Sequence, residues 1–136
     1  MLDDFVMACR LWSREGGFRI YVREGPQGAY VLDFDAGTLA VLQVAPDGEI
    51  SASAAYPAFY DYEDWYDFVL EAEGSRLIIY RDGELRHESS WPGAPLIGRV
   101  RFALAGGDAL WLDDCLFYSI EPSAMDQERV AALIGS

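Results

Sequence analysis

Polar and apolar residues alternate with a period of two along most of this chain, and turn residues interrupt them about every eight to twelve positions. In DFVMACRLW, Phe5, Met7, Cys9 and Leu11 oppose Val6, Ala8, Arg10 and Trp12. After Gly16-Gly17, FRIYVRE sets Phe18, Ile20 and Val22 against Arg19, Tyr21 and Arg23. That is the signature of a strand with one buried and one polar face. GPQG then makes a turn, and AYVLDFD sets Tyr30, Leu32 and Phe34 against Val31, Asp33 and Asp35. TLAVLQVA is more evenly apolar and stops at the turn Pro46-Asp47-Gly48.

The next segment, EISASAAYPAFYDYED, starts as a strand of small residues and becomes an aromatic, acidic loop with Tyr56, Phe59, Tyr60 and Tyr62, ending at Trp65. WYDFVLEAE, a Gly74-Ser75 turn, RLIIYR, an Asp82-Gly83 turn and ELRHES follow as paired strands. Val69, Ile78 and Leu85 are the expected core residues of this stretch. After the proline-rich WPGAPLIG, RVRFALAG and ALWLDDCLFYSI supply two more strands, for nine or ten in all. Only the last segment changes period. In EPSAMDQERVAALIGS, Ser123 is placed as an N-cap with Asp126 three residues on, and Met125, Val130, Leu133 and Ile134 fall along one side of a short helix. The expected division is a β-sandwich over residues 1–121 and an amphipathic helical tail over 122–136, docked on the domain or on a partner.

The length of 136 residues suits one domain, and the 51% hydrophobic content excludes a disordered chain. A formal charge of -13 argues against nucleic acid and anionic membrane surfaces as partners, since both are gripped by clustered basic residues. All ten basic residues are Arg, and Lys and Asn are absent. A GC-rich genome accounts for that, and a salt- or heat-adapted host is the alternative. The N-terminal MLDDFVMACRLW lacks the basic opening of an export signal, so a cytoplasmic chain is expected unless it is cut from a longer exported one. In that setting Cys9 and Cys115 are expected as two buried free thiols rather than a bridge. With one histidine and no CxxC, a zinc site is not expected.

Many short strands and one terminal helix imply an all-β, antiparallel β-sandwich or barrel. The order of blocks adds to this: Trp65 opens a strand, Ile78 to Gly83 forms a hairpin, Gly98 to Phe102 follows, and Leu112-Asp113-Asp114 lies in the last strand. Over residues 3 to 120 this order resembles the concanavalin-like jelly-roll domains, especially laminin-G-like and keto-disaccharide-hydrolase-like modules. The resemblance implies an antiparallel jelly-roll sandwich with its ligand on the concave sheet and rim loops. It also implies a structural role for Asp113-Asp114, one carboxylate accepting backbone N–H bonds at a strand end. Such domains carry a further segment before the DFVM-like strand, so a naked sheet edge is expected there, open to self-association or a partner strand.

Catalytic chemistry finds little support. The laminarinase-type hydrolases of this fold carry Glu-x-Asp-x-x-Glu, whose carboxylates stand ~5 Å apart for a retaining mechanism. No such motif occurs here. Asp61, Glu63 and Asp64 cluster on the aromatic loop, where a solvated patch is the default, and His87 has only Glu88 and Ser89 beside it. The chain therefore reads as a non-catalytic binding module. Flat aromatics cover the apolar face of a sugar while Arg and Asp bond its hydroxyls. The candidate ligand-binding residues are Arg19, Tyr21, Arg23, Asp33 and Asp35, with Tyr60 and Trp65 as a wall. Asp33 and Asp35 could alternatively hold calcium, which wants six or more oxygen ligands; no cofactor is expected. The expected partner is an oligosaccharide on the concave face. The alternative is another protein chain, or a second copy, completing an open sheet edge. In the structural reading of the same residues, Arg19 and Arg23 simply pair with Asp33 and Asp35 across strands, and the loop aromatics cap the sandwich.

Overall fold

Strands that alternate apolar and polar residues must bury one face each, and here they do so against one another. The computed structural model describes residues 4–14, 17–91, 98–104 and 110–119. They form β1 (Phe5–Ser13), β2 (Gly17–Gly25), β3 (Gly28–Asp35), β4 (Thr38–Val44), β5 (Ile50–Tyr56), β6 (Tyr66–Glu73), β7 (Arg76–Arg81), β8 (Glu84–Ser90), β9 (Arg99–Leu104) and β10 (Leu110–Ser119). Two five-stranded sheets result, ordered β10-β1-β6-β7-β8 and β5-β4-β3-β2-β9. Every neighbouring pair is antiparallel. The anticipated tail helix, at 122–136, lies outside the described residues.

The facing sides carry the inward residues of the alternating strands: Phe5, Met7 and Leu11 from β1, Phe18 and Ile20 from β2, Leu32 and Phe34 from β3. Phe34 sits at the centre, stacked on Phe18 at 4.3 Å and meeting Phe59, Tyr60 and Phe68 edge-on. Phe59 and Tyr60 come from the loop after β5, and both loop N–H groups donate to the Gly37 carbonyl. That acceptor pins the loop over the core, so its aromatics plug the sandwich.

Tight turns fall where the sequence places them. Asp82 and Gly83 both have positive φ, 49° and 79°, as a two-residue hairpin of primed type requires. Other expectations need correction. Val69 and Ile78 are buried, but on the outer side of their sheet, where Val69 faces Ala8 and Ile78 faces Glu71. The core side of this hairpin is Phe68, Leu70, Ala72, Leu77 and Ile79, and Leu85 is 51% exposed. The alternation of β6 does report its inner face, since Tyr66, Phe68, Leu70 and Ala72 oppose Asp67, Val69, Glu71 and Glu73, whereas in β7 each face mixes apolar residues with an arginine. Nor is β1 a sheet edge, since β10 and β6 flank it.

The cysteines are the sharpest correction: Cys9 and Cys115 form a disulfide. In β1–β10 the register runs Ala8 to Leu116 and then Arg10 to Asp113, so β10 carries one extra residue opposite Cys9. Asp114 makes this bulge, with a φ of 48° and its N–H donating to the Asp113 carboxylate at 2.9 Å. The carboxylate does accept a backbone N–H, but at a mid-strand bulge rather than a strand end. The bulge brings Cys115 across from Cys9.

At the side where the β5 and β8 edges approach, one histidine bridges the two sheets. His87 Nδ1 shares a 2.6 Å hydrogen bond with the Tyr56 hydroxyl, and Nε2 a 2.8 Å bond with the Ser89 hydroxyl. Ser89 lies two residues on, so it shares the inward face with His87, whereas Glu88 points outward to Arg76. Burial depresses the imidazole's pKa below its ordinary value of 6.5. The folded state thus favours the neutral ring, so it loses stability as pH falls below 6.5, where the unfolded chain takes up the proton first. Urea midpoints measured from pH 7.5 to 5 should fall more steeply for the wild type than for His87→Gln. Equal slopes would remove His87 as the cause.

Candidate functional site

The outer face of the second sheet bears a depression of about 320 Å³, lined by Gly17, Phe18, Arg19, Tyr21, Asp33, Asp35, Ala103 and Leu104. Its origin lies in the registers. Across β9, β2 and β3, one row reads Arg101, Tyr21, Val31; the next reads Ala103, Arg19, Asp33; the last pairs Gly17 with Asp35. Small residues at Gly17 and Ala103 leave space, and the larger side chains around them become walls. A Cβ at Gly17 would stand 3.1 Å from the Phe34 carbonyl oxygen and 3.6 Å from an Asp35 carboxylate oxygen, so the glycine keeps this floor open.

Its polar groups are held by one another. Arg19 Nε lies 3.5 Å from the Asp33 carboxylate, its direct cross-strand partner. The Tyr21 hydroxyl, and then Asp33, raise the guanidinium's pKa, so Arg19 stays charged. Arg101 lies over the Tyr21 ring at 3.9 Å from its centroid and is gripped by Glu24 through bonds of 2.9 and 2.7 Å. Those bonds hold the Glu24 carboxyl below the usual carboxylate range. Tyr21 is thereby fixed as a wall by a neighbour that sequence reasoning missed. Arg101 sits on β9, far along the chain from Tyr21, and only the β2–β9 register brings them together. Asp35 is exposed at the other end, with no hydrogen bond or ion pair among the described residues.

Four of the seven anticipated residues, Arg19, Tyr21, Asp33 and Asp35, thus surround one depression. The other three do not. Arg23 is 1% exposed and turned inward. Its own φ is 54°, and the β2–β3 register shifts between Val22 and Gly25, so the alternation that would put Arg23 beside Tyr21 is broken. Gly98 belongs to this bulge, because a Cβ there would meet the Arg23 backbone at 2.3 Å. Tyr60 is 2% exposed, and desolvation pushes its phenol pKa up to about 12. Trp65 is partly exposed but belongs to the first sheet's side, where Arg10 stands 5.4 Å from its ring and pairs with Asp67. As for metals, no group of three or more His, Cys, Asp or Glu side chains among the described residues could hold an ion.

A second, smaller cavity of about 90 Å³ lies at the β5–β8 side, lined by Val41, Gln43, Ala52, Ser53, Ala54, His87 and Ser89. Ser89 and His87 are hydrogen-bonded there, but the carboxylate that would complete a catalytic triad is replaced by Tyr56.

No protein-family model and no curated protein matches this chain. Solved structures do. The carbohydrate binding module CBM66 from Bacillus subtilis superposes with a TM-score of 0.69 at 17% identity, over 86% of this chain and 76% of that one. The Caenorhabditis elegans galectin LEC-6 gives 0.65 at 13% identity, over 86% and 84%. The binding domain of botulinum neurotoxin DC, solved in complex with rat synaptotagmin II, gives 0.65 at 12%. That match takes 99% of this chain but 36% of the toxin domain, so the chain spans about a third of its length. The chain has the β-sandwich jelly-roll fold. At these identities the likeness is one of fold, and two of these neighbours are named as a binding module and a binding domain.

Proposed function

We propose that this chain is a non-catalytic, concanavalin-like binding module of the laminin-G-like kind that recognises a glycan on the outer face of its second sheet. One observation carries the reading: Arg19, Tyr21, Asp33 and Asp35, residue types that grip sugars, surround a single depression of about 320 Å³. Such a volume falls at the low end of the ~300–1,000 Å³ of small-molecule sites, enough for a chain end rather than a long polysaccharide. Tyr21 offers an apolar wall, Asp33 and Asp35 accept from hydroxyls, and Arg19 donates to them. That a carbohydrate binding module and a galectin share the fold supports the reading.

Calorimetric titration with a panel of neutral oligosaccharides tests it. Saturable binding is expected, weakened about tenfold or more in Tyr21→Ala and Asp33→Ala, whose melting temperatures stay near the wild type's. Binding unaffected by either substitution would move the site elsewhere, and no binding at millimolar concentrations would reject the glycan.

The second reading, a module for binding another protein chain, has its own observation. Edge strand β10 exposes Trp111, Leu112, Leu116 and Phe117. A partner strand laid along it would cover them. That a toxin binding domain, about a third of which shares this fold, was solved in complex with a synaptotagmin supports that reading. Against a second copy of this chain stands the Asp113-Asp114 bulge, which interrupts the edge and would face its own carboxylates across a two-fold axis. The bulge leads us to expect that the chain alone stays monomeric in sedimentation at rising concentration, and association would show that β10 does pair with a second copy.

A further inference from the structure

The charges around the depression do not balance, and the imbalance selects among sugars. Arg19 is the single cation among the described lining residues, and Asp33 already pairs with it across the strands. Arg101, on β9 beside Tyr21, has its charge engaged by Glu24 through two hydrogen bonds and stands 3.9 Å from the centroid of the Tyr21 ring. Asp35 is left as an exposed carboxylate with no cation and no donor among the described residues. It stands across from Gly17, which has no side chain to cover it, so its oxygens border the empty volume directly. The whole chain adds to this local excess with a net charge of -13, a field that draws cations and turns anions away.

We propose that the depression prefers a glycan carrying a free amino group, a 2-amino-2-deoxy sugar unit whose ammonium sits on Asp35, over the same sugar N-acetylated, unmodified or bearing a carboxylate. The proposal rests on the glycan reading of this depression and deepens it. In the bound state the ammonium donates to the Asp35 carboxylate, the ring lies against Tyr21 and Leu104, and the Arg19–Asp33 pair serves the hydroxyls. An exposed pair gains little from Coulomb attraction alone, and salt screens it. The preference is therefore of modest size and steeply dependent on ionic strength. A uronic or sialic acid would place its carboxylate beside Asp35 with Arg19 already engaged, and is selected against.

The test compares four oligosaccharides by calorimetry: one with free amines (a chitosan oligomer), its N-acetylated counterpart, the unmodified glucose oligomer of the same linkage, and an oligomer of uronic acid. The amine form should bind roughly three- to tenfold tighter than the N-acetylated form at low salt, and the advantage should shrink at 0.5 M salt. In Asp35→Asn the amine form should bind no tighter than the N-acetylated and unmodified oligomers, whatever absolute affinity the variant keeps for them. Equal affinity for amine and N-acetyl forms would overturn the preference and leave the glycan reading standing. A preference that survives in Asp35→Asn would overturn the assignment to Asp35. Failure of all four, and of the neutral panel, would bring down the glycan reading itself.

Discussion

Replacing Arg23 with Met or Ala should cost the fold about 3–5 kcal/mol, the range for removing one partner of a buried charged pair. Its side chain is completely buried, and its guanidinium joins both sheets. It donates to the carbonyl of Ala72 at 3.3 Å, to the carbonyl of Gly74, and to the Asp4 carboxylate at 3.0 Å. Asp4 in turn accepts the Gly74 N–H at 2.8 Å. One cation therefore gathers β2, the β6–β7 turn and the residue that leads into β1. Without it, the Ala72 and Gly74 carbonyls lose this donor and the Asp4 carboxylate its cation, keeping only the Gly74 N–H. Urea unfolding at pH 7 would show a lower midpoint, and Arg23→Met, which keeps an apolar stem, should lose somewhat less than Arg23→Ala. A loss under about 1 kcal/mol would show that water replaces the guanidinium readily. Arg23 is thus a poor probe of sugar binding, because any loss of affinity in its variants would follow from loss of structure.

The second large effect belongs to the Cys9–Cys115 bond. It closes a loop of 106 residues, so it removes conformational freedom from nearly the whole unfolded chain. The chain-entropy account values such a loop at about 4–5 kcal/mol, which native-state strain or residual unfolded structure can reduce. The oxidised protein should melt well above the reduced one, and the Cys9→Ala/Cys115→Ala double variant should behave like the reduced form and ignore added reductant. If oxidised and reduced forms melt together, the bond contributes nothing. Such bonds persist in oxidising surroundings, so we propose that the chain works there rather than in a reducing cytoplasm.

Arg23 and the Cys9–Cys115 bond mark where the reading of the sequence stops. Period-two alternation placed the strands, and β2 and β3 have the faces read from it, with Phe18, Ile20, Leu32 and Phe34 inside and Arg19, Tyr21, Asp33 and Asp35 outside. That holds because side chains on a regular strand must alternate. A bulge breaks the rule without announcing itself. Arg23 turns inward at one in β2, and Cys115 reaches Cys9 at another in β10. The loop after β5 left two readings open, a wall of the site or a cap of the sandwich, and a backbone acceptor at Gly37 decides for the cap by drawing Phe59 and Tyr60 over the core.

Taken alone, the sequence determined the β class, most strand positions, the hairpin turns and the polar face that became the depression. All of these follow from local sterics and from hydrophobic period. The tertiary structure decided which strands are neighbours, and with that the β2–β9 register that sets Arg101 on Tyr21 and the β1–β10 register that joins the cysteines. It also decided which face of β7 is inward, since Leu77, Ile79 and Arg81 are as mixed a row as Arg76, Ile78 and Tyr80. Pairing between distant strands is chosen by the packing of the whole sandwich, and no local stretch of residues carries that information.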